Sequence, residues 1–127
     1  MAKRVLSVGQ CAADHAAIKA FLKREFAAEV QAAHTADETM SMLSTGPFDL
    51  VLVNRIFDAD SGSGLDLIKA IKSTPTTGKI PAMLVSNYAD AQEKAVGNGA
   101  EPGFGKAALG DKEVVERLAP FLGESED

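Results

Sequence analysis

Short apolar runs alternate with helical patterns along the whole chain. Val5-Leu-Ser-Val8, closed by Gly9, reads as a buried strand. Ile18, Phe21, Leu22 and Phe26 then fall on one face of a helix from about Asp14 to Ala27, with Asp14 as its cap or first-turn acid. Glu29 to Ala33 makes a weaker second strand. Thr35-Ala-Asp-Glu38 has capping-box spacing and opens a short helix that Gly46-Pro47 ends. Asp49-Leu-Val-Leu-Val-Asn54 is the clearest strand, and its unbroken apolar run suits a central position covered on both faces. Leu65, Leu67, Ile68 and Ile71 mark a helix to about Lys72. Ala82 to Ser86 follows as a strand after Pro81, and a weaker helix spans about Asp90 to Val96. Gly103-Phe-Gly105 is a poor fifth strand. Asp111 to Leu122 is the last helix, with Val114, Val115, Leu118 and Phe121 inward and Pro120 expected to kink or shorten it.

The resulting order, β-α repeated five times, predicts a doubly wound parallel sheet with helices on both faces. Ligands of such sheets bind beyond the carboxyl ends of the strands. The residues there are Gly9, Gln10 and Cys11, then Asn54 to Asp58, then Ser86 and Asn87, then Lys106.

Composition narrows the picture. The chain has 127 residues, enough for one core, and is 46% hydrophobic and 24% charged. Residues 1–122 are read as one domain, and Gly123 to Asp127 as an acidic, solvated tail. Eighteen acids against 13 bases give −5, the wrong sign for generic nucleic-acid binding. No run approaches a membrane span and no secretory signal is visible. Cys11 is the only cysteine, so no internal disulfide forms, and the expected compartment is the cytoplasm.

In order and spacing, several pieces resemble the response-regulator receiver domain of CheY-like proteins. They are Arg4 to Val8, Phe48 to Asn54, Gly64-Leu-Asp-Leu-Ile-Lys-Ala-Ile71, Ile80-Pro-Ala-Met-Leu-Val-Ser86, and Asn98-Gly-Ala-Glu101 with Lys106 following. The resemblance implies five parallel strands in the order 2-1-3-4-5 and a place in bacterial two-component phosphorelay signalling. It also implies a site made of an acidic pair, a phosphoaccepting aspartate, a hydroxyl and a lysine. The acidic pair falls on Gly9 and Gln10, and the acceptor on Asn54. Ser86 and Lys106 keep the hydroxyl and the ammonium, while Gly103 stands where the fifth-strand aromatic is usual.

The substitutions change the chemistry. An amide forms no acyl phosphate, and Mg²⁺ wants carboxylate oxygens. The family's set carries a formal −2, whereas Gly9, Gln10, Asn54 and Lys106 carry +1. The expectation is a degenerate receiver, not an enzyme, with no cofactor and Mg²⁺ binding lost. It would stand alone and signal by protein–protein interaction with a sensor kinase or an output protein, and form a homodimer through the fourth helix, fifth strand and last helix.

Two alternatives stay open. Asp58 or Asp60 is a relocated acceptor on the loop before Gly64, which is longer than the family's because Gly64 lies ten residues after Asn54. Or Lys106, with Ser86 and the amides near Gly9, centres a small-anion site. A calcium loop starting at Asp58 fails, because Lys69 stands where the closing Glu belongs. Lys106 also reads as a structural partner of Asp58 or Asp14, and Ser86 as a strand-end hydroxyl bonded to backbone. Cys11, between strand and helix, is an inert or a redox-active thiol. His15 and His34 lack a further ligand nearby and read as ordinary surface histidines.

Overall fold

The computed structural model describes residues 2–123. The acidic positions 124–127 of the expected tail lie outside the described residues. The strands are β1 (Arg4–Val8), β2 (Glu29–Ala33), β3 (Leu50–Asn54), β4 (Ala82–Val85) and β5 (Glu101–Phe104). Helices α1 (Ala12–Phe26), α2 (Ala36–Thr45), α3 (Gly64–Ser73), α4 (Ala89–Gly97) and α5 (Lys112–Leu122) alternate with them. All pairings are parallel, in the order β2-β1-β3-β4-β5, as expected for a doubly wound sheet.

Side-chain alternation in the strands builds two cores, one on each face of the sheet. Leu50 and Leu52 of β3 face α1 and α5, where they meet Ile18, Leu22 and Leu118. Val51 and Val53 face the other way, toward Leu67, Ile68 and Ile71 of α3 and Ala95 of α4. Residues 50–53 are fully buried, which is why this strand reads as an unbroken apolar run.

Local chemistry fixes the helix starts. Thr35 accepts from Glu38 N–H, and Glu38 returns a bond to the N–H of His34. Ser63 caps α3 by accepting from Asp66 N–H. In α1 the cap position is Cys11, and Asp14 is a first-turn acid.

Two expectations need correction. Helix α5 runs through Pro120 to Leu122 instead of stopping short. Its end is held because Gly123 N–H bonds to Ala119 O at 2.7 Å and Leu122 is buried. Leu122 is the fully buried residue at its end, while Phe121 and Val115, expected inward, are half-buried and pack against the same core. Strand β5 begins earlier than expected, at Glu101, and includes Pro102. Its pairing with β4 shifts register between Met83 and Val85, and Gly103 lies against Leu84 O with no room for a Cβ.

Candidate functional site

The strand order reverses direction between β1 and β3, which is where such sheets open a ligand crevice. Gly9 directly follows β1 at that point, and Asn54 ends β3 level with Val85 of β4. The structure thus brings together Gly9, Asn54, Ser86 and Lys106, as their sequence positions imply.

Asn54 closes the crevice. Its Nδ2 donates to Gly9 O at 3.0 Å and to Ile56 O at 2.8 Å, so both amide hydrogens are spent on backbone. Its Oδ1 accepts from Arg55 N–H at 3.0 Å. Gly9 O takes a second donor, Asp58 N–H, at 3.0 Å. Gly9 has φ +76°, and a Cβ there would strike the Phe57 ring, so the residue type is demanded by packing as well as by backbone. Gln10 is buried, with Nε2 at 3.5 Å from Val8 O and no protein donor for Oε1 among the described residues.

Lys106 sits in the 3₁₀ turn Lys106–Ala108 after β5 and donates to Asp14 Oδ2 of α1 at 2.7 Å. That hydrogen bond holds the Asp14 carboxyl below the usual carboxylate range, against a smaller opposing effect of burial; the Cys11 thiol adds to the lowering. Ser86 Oγ accepts from Tyr88 N–H at 3.1 Å, the strand-end role expected of it. Asn87 Oδ1 accepts from Ala107 N–H at 3.2 Å.

The loop from Arg55 to Ser63 folds back on itself. Phe57 N–H bonds to Gly62 O, Gly64 N–H bonds to Arg55 O, and Ile56 forms an antiparallel bridge with Ser63. Asp58 and Asp60 lie on the exposed part of this loop. Asp60 Oδ1 accepts from Gly62 N–H in a local turn. The Asp58 side chain bonds to nothing among the described residues; only its backbone reaches the site. Among the described residues no three His, Cys, Asp or Glu side chains come together as a metal-ligand group.

A cavity of about 170 Å³ opens beside Asn54, between Arg55, Ile56, Ser86, Tyr88 and Lys106. The Arg55 guanidinium lies over the Tyr88 ring, 4.9 Å from its centroid. Sequence reasoning named Arg55 only as part of the strand-end stretch and missed Tyr88. The readable signal was an Arg next to the strand-end Asn and the chain's sole tyrosine two residues after Ser86. On the α4–β5–α5 face, a groove of about 370 Å³ lies between Gln92, Val96, Pro102 and Arg117. His15 Nδ1 is buried without a hydrogen-bond partner among the described residues, and burial pushes that imidazole below its ordinary range.

No family model matches the chain, and no curated protein matches it. Solved structures do. It is similar to the signal receiver domain of a DNA-binding response regulator from Colwellia psychrerythraea 34H, with 24% identity and TM-score 0.77, covering 93% of this chain and 96% of that one. A putative response regulator from Chloroflexus aurantiacus J-10-fl superimposes with TM-score 0.83 at 18% identity, over 96% and 98% of the two chains. The chemotaxis response regulator CheY4 of Vibrio cholerae gives TM-score 0.71 at 16% identity, over 94% and 95%. At these identities the likeness establishes architecture: the chain has the CheY-like receiver fold. Among the described residues no helix is long and apolar enough to cross a membrane.

Proposed function

We propose that this chain is a receiver-like signalling protein that acts by protein–protein contact, without aspartyl phosphorylation, without Mg²⁺ and without an enzymatic activity of its own. Its partner is another signalling protein, such as a sensor kinase or an output protein.

One observation carries the reading. The residue at the acceptor position is Asn54, and its amide is used as a double donor that ties β3 to Gly9 O and Ile56 O. An amide so placed is neither nucleophilic nor free to move toward a phosphoryl donor. The oxygens around it do not suit Mg²⁺ either. Gly9 offers a carbonyl that already accepts twice, Gln10 offers a buried amide, and the Asp14 carboxylate is committed to Lys106. With phosphate removed as the switch, a partner changes the conformation only as far as it binds one state better than another.

The test is intact-mass analysis after incubation with acetyl phosphate and Mg²⁺. No acid-stable or base-labile gain is expected. A labile gain of one phosphoryl group, mapping to Asp58 or Asp60, would overturn the reading in favour of a relocated acceptor.

A further inference from the structure

We propose that the cavity beside Asn54 is a docking site for an acidic side chain of a partner protein. Arg55 and Lys106 receive the carboxylate, and Ile56 and Tyr88 receive the apolar residue next to it. The inference rests on the interaction role proposed above and names the surface that performs it.

The polar groups lining the cavity are unbalanced. Each of its side-chain acceptors already holds one donor: Asn54 Oδ1 takes Arg55 N–H, Ser86 Oγ takes Tyr88 N–H, and Asn87 Oδ1 takes Ala107 N–H. Donors are left over. The Arg55 guanidinium has no hydrogen bond and no ion pair among the described residues. The Ser86 hydroxyl proton and the Asn87 amide hydrogens have no acceptor there, and Lys106 spends one ammonium hydrogen on Asp14. A site with surplus donors and a free cation selects an oxyanion. A purely apolar occupant would bury Arg55 unpaired, which is costly. A cationic one would be repelled.

The rim decides what carries that oxyanion. Three large hydrophobic side chains are conspicuously exposed among the described residues: Ile56 at 43%, Tyr88 at 59% and Val96 at 44%. Two of these three stand at this cavity. A free ion such as phosphate gains nothing from them, whereas a peptide that places an apolar residue beside its acid buries both. The Arg55–Tyr88 stack also holds the guanidinium in place before binding, so less rotamer freedom is lost on docking. Tyr and Arg together are the residue types that carry most interface energy. A volume of about 170 Å³ leaves room for several water molecules, and hence for one carboxylate-bearing side chain.

The experiment selects peptides from a random displayed library against the full chain, then measures the enriched peptides by fluorescence anisotropy and by amide shifts in solution. The expected peptides carry Asp or Glu next to an aliphatic or aromatic residue. Their shifts centre on Arg55, Ile56, Tyr88 and Lys106. Affinity should fall about tenfold on Arg55→Gln, and equally on changing the peptide's acid to its amide, as loss of one charge-assisted hydrogen bond requires. Tyr88→Ala should weaken binding as well, while Arg24→Gln, on the surface of α1, should leave it unchanged. Absence of enrichment, peptides without acids, shifts confined to the α4–β5–α5 groove, or indifference to Arg55→Gln would each overturn the proposal. So would inorganic phosphate that saturates the same amides more tightly than any peptide. A labile phosphoryl gain in the mass test refutes the functional reading instead, whatever the peptides do.

Discussion

Placing a carboxylate at position 54 should damage the protein, because the Asn54 amide donates twice to backbone there. In Asn54→Asp, an oxygen replaces the Nδ2 that now donates to Gly9 O at 3.0 Å and Ile56 O at 2.8 Å. Two hydrogen bonds disappear, each worth about 0.5–1.5 kcal/mol net, and an anionic oxygen faces two carbonyls. Residue 54 is only half-buried, so water relieves part of the repulsion, leaving an expected loss of about 2 kcal/mol. An unfolding entropy of about 2.1 cal/mol/K per residue over 127 residues turns that into a melting shift of about 7 °C. The two facing carbonyls, at hydrogen-bond distance, would raise the folded pKa of the introduced carboxyl above its unfolded value of about 3.9, outweighing the Arg55 and Lys106 side chains, which line the cavity without hydrogen-bonding to the residue 54 side chain. A raised pKa means the protonated form is favoured by folding. The deficit should therefore be smallest below about pH 4 and reach its full size once the pH passes the raised value. Thermal melts of parent and variant from pH 3.5 to 7.5 read this directly. A variant that melts with its parent at pH 7, or whose deficit shrinks as pH rises, would refute the reasoning. Acetyl phosphate and Mg²⁺ should still leave the introduced carboxyl unmodified, since no acids stand at Gly9 and Gln10.

Other expectations follow from the same geometry. Asp14 is held below the usual carboxylate range chiefly by its hydrogen bond to Lys106, so the pair stabilises the fold above the unfolded value of about 3.9 and the gain is lost as pH falls through the lower folded value. Both side chains are partly exposed, so Asp14→Asn should cost under about 1 kcal/mol at pH 7. Urea midpoints should show that difference shrink as the pH falls below about 4, and shrink in high salt; a difference constant across pH would sink it. Gln92 ties α4 to two strands, donating to Leu84 O and Ser86 O and accepting from Gly103 N–H. Gln92→Leu should cost about 2–3 kcal/mol by stranding those backbone groups, and should speed hydrogen exchange at Gly103 more than at Val51. Equal acceleration at both amides would mean that Gln92 is no local brace.

The sheet was legible because β1, β3 and β4 are buried on both faces, and such strands leave little to interpret: β3 and β4 each hold four apolar residues in a row, and β1 breaks its run only at the buried Ser7. The edges were harder. Gly103-Phe-Gly105 reads as a poor fifth strand, yet β5 begins at Glu101 and pairs through Pro102, and the missing Cβ of Gly103 lets it approach Leu84 O. Pro120 is expected to kink or shorten the last helix, yet α5 continues to Leu122 and Gly123 N–H closes its end on Ala119 O. At the site, sequence order placed Asn54, Ser86 and Lys106 at neighbouring strand ends, but it carried no bonding. Whether Lys106 would reach Asp14 or Asp58 depends on α1 and on how the 55–63 loop folds back, and the partner it takes is 92 residues away. The Asn54–Gly9 contact spans 45 residues and needs the β1–β3 pairing before it exists.

These bonds also bear on how such a chain could carry a signal. In a doubly wound sheet the switch point is open by topology, and something must fill it. Here it is filled from within: the Asn54 amide spans β3 to Gly9, and the Lys106–Asp14 pair ties the turn after β5 to α1. Both contacts satisfy groups that a ligand would otherwise have to satisfy, so an incoming phosphoryl group or cation would have to break them first. What the strand ends still present is the outer layer, where Arg55, Ile56 and Tyr88 lie between the crevice and solvent. On the function proposed above, a closed inner site and a cationic, apolar outer rim would make the chain respond to occupancy rather than to covalent state. Its signal would then scale with its own concentration and its partner's, and further control would act on the abundance of one of the two or on the rim itself.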